Sequence, residues 1–223
     1  MHQRKSKKIL IYFFILISVG SINNINLNSH KFGKIENINV FGLEENENLL
    51  LSKEIKNLNL KSIFFINKEN LKNQIDSNNL VEKYNVFKRY PASLDIEIEK
   101  TKFLARINNK DKIFFVGSNG KLSKNNFSNI KLPFIFGKPE IKEFLDFKKI
   151  IDQSKFSYDE IKNLYFFSSK RWDLELKNNI IIRLSRDYPS DSLMLAFEFL
   201  HRNEFKDIKI IDARIKNQII LND

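Results

Sequence analysis

The chain has 223 residues, with 38 Lys and Arg, 27 Asp and Glu, three His and no Cys. That length gives room for one or two domains, and 42% hydrophobic residues suffice for a core. The lack of Cys excludes disulfides, thiolate catalysis and cysteine-ligated zinc. With His confined to His2, His30 and His201, no clustered His metal site is expected either.

The net charge of +11 is unevenly distributed. Arg4, Lys5, Lys7, Lys8 and Lys31 face no acid in the first 31 residues, while the remainder carries 33 basic and 27 acidic groups. Those later charges are mixed in sign along the chain, and without a clustered basic stripe no nucleic-acid partner is expected.

The N-terminal cations precede a continuous apolar run, Ile9 to Val19. A basic segment followed by an apolar one is an export signal, and the positive-inside rule keeps the basic end in the cytoplasm. Eleven residues rise only ~16 Å, about half a hydrocarbon core. Extension through Ile22 and Ile25 approaches a span, whereas Ser18 and Gly20 are spaced for signal-peptidase cleavage. The residues alone leave retained anchor and cleaved signal open. In both cases the body lies outside the cytoplasm.

Along that body, Ile35 to Phe41 reads as a strand closed by a turn at Gly42. Leu51, Ile55 and Leu58 recur at helical spacing from about Glu47 to Leu58. Asn67 is a candidate N-cap for a second helix carrying Leu71 and Ile75 on one face. Val81 to Arg89 is a strand candidate, Tyr90 to Ser93 a turn, and Leu94 to Glu99 alternates strictly, with the carboxylates opposite Leu94, Ile96 and Ile98. The order strand, helix, helix, strand, strand predicts a small sheet with two helices on one face, ending near Lys100.

Beyond it, Lys112 to Val116 is a strand candidate and Ser118 to Gly120 a turn. Leu132 to Gly137 is read as a loop, because Pro133 cannot donate to a ladder. Phe144, Leu145, Lys148 and Ile151 mark a helix over Ile141 to Ile151. Arg171 to Leu176 alternates, and Asn178-Asn179 joins it to Ile180 to Leu184 as a hairpin. Leu193, Phe197 and Leu200 line a helix from Asp191 to Arg202, and a long strand is expected from Ile208 to Leu221. The fold class expected is α+β, a small βααββ domain followed by a β-rich domain with flanking helices.

No residue set supports catalysis. Asp95, Glu97 and Glu99, and likewise Asp173 and Glu175, read as the solvated face of half-buried strands. Trp172 beside Leu174 and Leu176 reads as core, and His201 has no second ligand at metal spacing. Phosphate-loop, dinucleotide, zincin and serine-hydrolase motifs are absent, so no cofactor and no small-molecule substrate are expected. The terminal strand candidate instead offers an edge. Ile211, Ala213, Ile215 and Ile219 face one side, and Asp212, Arg214, Lys216 and Gln218 the other. Such an edge is either guarded by its charges or used for strand addition.

Val86-Phe87-Lys88-Arg89-Tyr90-Pro91-Ala92-Ser93-Leu94 with the alternating strand to Glu99 resembles a pattern of the FtsQ/DivIB family of bacterial cell-division proteins. Ile38-x-Val40-x-Gly42 is similar to that family's opening strand, Arg171-Trp172-Asp173-Leu174-x-Leu176 with Asn178-Asn179 to its hairpin, and Ile211-Asp212-x-Arg214 to its late strand. The four stand in the family's order. Departures are Phe103 where a proline is common, Gly117-Ser118-Asn119-Gly120 without the usual Asp, and Asn179 in place of a turn glycine.

The resemblance implies a cytoplasmic tail (1–8), a retained transmembrane anchor (9–27), a POTRA domain (33–101) and a β domain (102–223). It implies a non-catalytic septation scaffold in the inner membrane, N-terminus cytoplasmic and body periplasmic. Its partners would be small FtsB- and FtsL-like bitopic proteins, linked to septal peptidoglycan synthases. It implies partner binding beside the late strand at Arg214, Ile215 and Asn217, with Arg171 on the hairpin. Two other readings remain, a POTRA-bearing outer-membrane assembly or secretion component, and an exported periplasmic binding protein.

Overall fold

A computed structural model describes residues 3–22, 34–60, 62–124, 131–201 and 208–222. Residues 23–27 of the expected anchor and residue 33 of the expected first domain lie outside them. The chain folds into two compact units, residues 1–77 with 84–98, and residues 78–83 with 99–223.

Helix α1 (Gln3–Ile22) carries the apolar run. Its large apolar side chains from Ile9 to Val19 are 47–73% exposed on every side of the helix. No helix among the described residues is long and apolar enough to cross a membrane.

The rest of the first unit is a two-layer βααββ body. It comprises β1 (Asn37–Phe41), α2 (Glu45–Asn57), α3 (Lys68–Ser77) and most of β2 (Val81–Arg89) and β3 (Ser93–Lys100), with sheet order β1-β3-β2. The helical periodicity buries Leu51, Ile55, Leu71 and Ile75, and the strand alternation buries Leu94, Ile96 and Ile98 against them. Each fully buried Leu or Ile contributes about 1.5–3 kcal/mol. Asn67 caps α3 as expected, accepting from the Asn70 amide at 3.1 Å, and Ser52 Oγ on α2 donates to Ile38 O at 2.7 Å. Gly42 has φ +105°, and a Cβ there would lie 1.9 Å from Ile98 O. Only glycine closes this turn.

The second unit is one nine-stranded sheet of order β12-β11-β10-β9-β8-β7-β4-β5-β6. Its strands are β4 (Phe103–Asn109), β5 (Lys112–Gly117), β6 (Leu122–Ser123), β7 (Phe134–Phe136), β8 (Ile161–Phe166), β9 (Trp172–Leu176), β10 (Ile181–Leu184), β11 (Ile210–Ala213) and β12 (Ile220–Asn222). Helix α4 (Ile141–Gln153) joins the parallel pair β7 and β8, and α5 (Pro189–Leu200) joins the parallel pair β10 and β11. Both helices bury one face of the sheet, where Phe144, Phe147 and Ile151 meet Trp172, Leu174 and Leu176. Trp172 is core as expected, stacked on Phe147 with ring centroids 4.7 Å apart.

Three sequence expectations are corrected here. Leu132 to Gly137 is not a loop, because Phe134–Phe136 forms an inner strand between β4 and β8. Pro133 stands just before it and only accepts, from the Arg106 amide at 2.9 Å, so its missing N–H costs nothing. Asp173 and Glu175 do not form a solvated face, since Asp173 is buried and Glu175 is held in a hydrogen-bonded network. The expected strand from Ile208 to Leu221 is a hairpin, β11 turning at Arg214 to Gln218 into β12.

Candidate functional site

The edge of the large sheet is built by this last hairpin. β11 is buried along Ile211 to Ala213 and fixed from below by α5, whose buried Ser192 Oγ donates to Ala213 O at 2.8 Å and accepts from the Ser185 amide at 3.1 Å. The chain cannot continue straight past Ala213. The Asp212 carboxylate accepts from the Arg214 amide at 3.2 Å, the Gln218 amide donates to Ile215 O at 3.2 Å, and Asn217 takes φ +59°. Asn tolerates that left-handed conformation better than most residues, which is the signal for a turn inside an otherwise alternating stretch.

β12 is therefore the outermost strand, antiparallel to β11 with Ile210 opposite Asn222, Ile211 opposite Leu221 and Asp212 opposite Ile220. The Ile181 amide donates to Lys209 O at 2.8 Å, so in this parallel pair the Lys209 carbonyl and the Ile211 main chain face β10. Ile210 and Asp212 then turn theirs towards β12, and Leu221, opposite Ile211, aims its N–H and C=O away from the sheet. Beside these outward groups stand Ile220 and, in the turn, Ile215, each 49% exposed.

Across the face opposite the helices runs a ladder of alternating charge. Strand register puts Arg183 on β10 between Asp173 on β9 and Asp212 on β11. Arg171, preceding β9, grips Asp173 with two hydrogen bonds at 3.0 and 3.2 Å, and its guanidinium lies 4.3 Å from the centre of the Phe167 ring. Arg214 grips Asp212 through Nε at 2.8 and 3.0 Å, and Arg183 approaches the same carboxylate at 3.7 Å.

The two acids respond in opposite directions. Burial raises the Asp173 pKa, and Arg171, the Leu184 amide and Arg183 offset only part of that. Burial would raise Asp212 too, but the hydrogen bonds from Arg214 prevail and its pKa is lowered. The hydrogen bond to Asp212 raises the Arg214 pKa in turn, with a smaller contribution from Asp173.

Next along β9, Glu175 accepts from Asn163 at 2.8 Å, Tyr165 at 2.6 Å and Lys162 at 2.8 Å. Its partial burial opposes ionisation, but these donors win and bring its pKa to about 2. Burial first, and then the Glu175 carboxylate, push the Tyr165 hydroxyl up to about 12.

Of the four residues expected at a partner site, Arg171 and Arg214 bracket the two ends of this ladder. Ile215 and Asn217 lie in the turn between β11 and β12 instead of within an edge strand. Sequence reasoning missed Leu221 and Ile220, which form the edge itself, and Arg183, which links the two acids. The polar Lys216-Asn217 dipeptide was the signal for the edge, while nothing local marks Arg183.

Residues 33–100 match the model of the FtsQ-type POTRA domain, and residues 105–214 that of the C-terminal region of cell division protein FtsQ/DivIB. Cell division protein FtsQ of Bradyrhizobium diazoefficiens is 21% identical over 164 residues, 72% of this chain and 48% of that protein. The chain thus spans about half the length of this curated relative. Among solved structures, the major extracytoplasmic domain of the trans isomer of DivIB from Geobacillus stearothermophilus is similar at 13% identity. Its TM-score is 0.33, covering 47% of this chain and 98% of that one. With both family regions matched in order along most of its length, the chain belongs to the FtsQ/DivIB family of bacterial cell-division proteins.

Proposed function

We propose that this cell-division protein is a non-catalytic scaffold that captures an extended segment of an FtsB- or FtsL-like bitopic partner. The captured segment adds as a further strand to β12, and the complex links septal peptidoglycan synthases to the division site. One observation carries the reading, the outward main-chain groups of Leu221 on the outermost strand of a large sheet. Main-chain pairing supplies affinity in such an addition, and flanking side chains choose the partner. Ile215, Ile220 and the Arg171 and Arg214 ends of the ladder are those side chains, with Asn217 setting the turn that presents them.

The same reading takes α1 as a retained inner-membrane anchor, with Arg4, Lys5, Lys7 and Lys8 cytoplasmic and the body periplasmic. An apolar surface exposed on all sides from Ile9 to Val19 supports it, because a helix of that kind is stable only when buried in lipid or protein. Its apolar stretch is short, so the flanking lysines would snorkel to the interface.

The test is affinity of the detergent-solubilised full chain for the soluble segment of an FtsB-like protein. Leu221→Pro removes the outward N–H while leaving the β11 ladder in place, and at least roughly tenfold weaker binding is expected. Ile215→Glu, an exposed turn change without consequence for the core, should weaken binding by roughly threefold. Unchanged affinity in both variants would overturn the proposal.

A further inference from the structure

The first unit carries a cluster of bare aromatic rings at one end. In the run Ile63-Phe64-Phe65-Ile66 between α2 and α3, Ile63 is fully buried and Ile66 half-buried, so both ends of the run are fixed to the body. The two aromatics between them are left outside. Phe65 is 88% exposed, more than any of the apolar side chains from Ile9 to Val19 on α1, and Phe64 is over half exposed. A third ring joins them, because Tyr90, in the turn between β2 and β3, lies with its centroid 5.5 Å from that of Phe64. Tyr90 is over half exposed too. Single exposed apolar residues are ordinary on a soluble surface, whereas a cluster marks an interaction site.

That end is also where the chain arrives from α1. The Glu36 and Asn37 amides donate to Ala92 O at 2.8 and 3.3 Å, which pins the start of β1 beside the Tyr90 turn. Residues 23–33 join α1 to this point, and a chain of that length reaches at most ~40 Å. Around the rings, Lys34 precedes β1, Lys68 opens α3, and Lys88 and Arg89 precede Tyr90, all of them exposed. Of the nearby acids, Asp95 is held by Arg89 at 3.0 Å and by Asn39 at 2.9 Å, which leaves Glu36 and Glu69 against three lysines. Aromatic rings settle at the headgroup level of a bilayer, and lysines beside them meet anionic lipid. The short tether selects a bilayer over a protein partner, because it keeps this end within reach of the leaflet from which α1 would emerge.

We propose, resting on the reading of α1 as a retained anchor, that this end of the first unit sits in the headgroup layer of the bilayer that carries α1. Phe65 inserts, Phe64 and Tyr90 lie beside it, and Lys34, Lys68 and Lys88 face anionic lipid. The contact sets how far the first unit stands from the membrane.

Trp172 is buried and is the single Trp of the chain, so an introduced Trp reports on its own position once the parent emission is subtracted. The experiment places the full chain carrying Phe65→Trp in phosphatidylethanolamine–phosphatidylglycerol vesicles, with lipid brominated near the headgroup as quencher. Phe41→Trp, at the other end of β1 and also over half exposed, is the comparison, and Leu16→Trp reports on the anchor. Lipid quenching is expected at positions 65 and 16 and not at 41. Accessibility to acrylamide at position 65 should be at least roughly twofold lower than at 41. Lys68→Glu with Lys88→Glu should weaken the quenching at position 65, as should replacing phosphatidylglycerol by phosphatidylcholine. Quenching at 16 without quenching at 65 would overturn the proposal, leave the anchor standing and assign the rings to a protein partner. Equal quenching at 65 and 41 would overturn it as well, since the contact would not belong to this end. Quenching at neither 16 nor 65 would overturn the anchor and the contact together.

Discussion

The edge strands β12 and β2, one from each sheet, offer the same main-chain template and handle charge in opposite ways. At β12 the arginines beside the edge are satisfied within the fold, because Arg214 is held by Asp212 and Arg183 lies between Asp212 and Asp173. At β2, Lys88 and, on the facing α3, Lys68 and Lys72 stand over an apolar groove without salt-bridge partners among the described residues. Residue type alone therefore does not say whether a charged edge is guarded or open. The neighbours across the strand or on the facing helix decide it. An edge with neutralised charge selects by main chain and by apolar side chains such as Ile215 and Ile220.

The largest way to break this comparison is to remove the platform under one edge only. Trp172→Ala empties the space between the stacked Phe147 ring and the tilted Phe166 ring and should cost about 3–5 kcal/mol. Thermal unfolding followed by calorimetry should show the transition of the second unit falling while that of the first is retained.

Smaller in effect is Arg183→Met, which removes the cation between two acids. About 1–2 kcal/mol is expected in denaturant unfolding, because Asp173 is already destabilised by burial and loses part of its compensation.

The pH dependence follows from Glu175, whose folded pKa is lowered from 4.5 to about 2. A lowered carboxylate pKa contributes stability that is complete above pH 4.5 and lost as pH falls towards 2. Glu175→Gln should therefore lose about 1–2 kcal/mol at neutral pH and converge with the parent at the acid end of that window. Asp173, with its pKa raised, contributes in the opposite sense, so the difference between the two proteins is the quantity to measure.

The smallest effects sharpen the edge comparison directly. Arg214→Ala should cost about 1 kcal/mol by freeing a carboxylate it holds. Lys72→Ala should be neutral or stabilising by less than about 0.5 kcal/mol, since it relieves a like-charge pair with Lys68. A loss for Arg214→Ala with none for Lys72→Ala in chemical denaturation would support the distinction, and two equal losses would remove it.

Most of the first unit was legible because its two layers leave each element half-buried. Leu94, Ile96 and Ile98 alternate with acids, and Leu71 and Ile75 follow a capping Asn67, so periodicity reports burial directly. The second unit hides more. Strands such as β8 have both faces occupied, Phe134 to Phe136 is too short for a period, and Pro133 disguises its start. Glu175 misled for the same reason, since Lys162, Asn163 and Tyr165, which hold it, come from β8, and Asp173 because its burial comes from the strands on either side. The departure at Gly117, the position of the usual Asp, does have a local account: a Cβ there would lie 2.5 Å from Asn119 Oδ1 and 2.8 Å from Thr101 Oγ1.

For the site, the resemblance pointed to Arg171 and Arg214, whose pairings with Asp173 and Asp212 two residues away follow strand alternation, whereas Arg183 between the two acids comes from a strand that no spacing marks. The turn at Asn217 shifts the edge itself from Ile215 to Leu221.

Amide hydrogen exchange at Leu221 in the full chain, with and without the soluble segment of an FtsB-like protein, tests the central claim most directly. Its outward N–H should exchange rapidly in the free chain and slow by at least roughly tenfold on binding, while the β2 amides are unaffected. Slowing elsewhere in the molecule with Leu221 unchanged would contradict strand addition at β12.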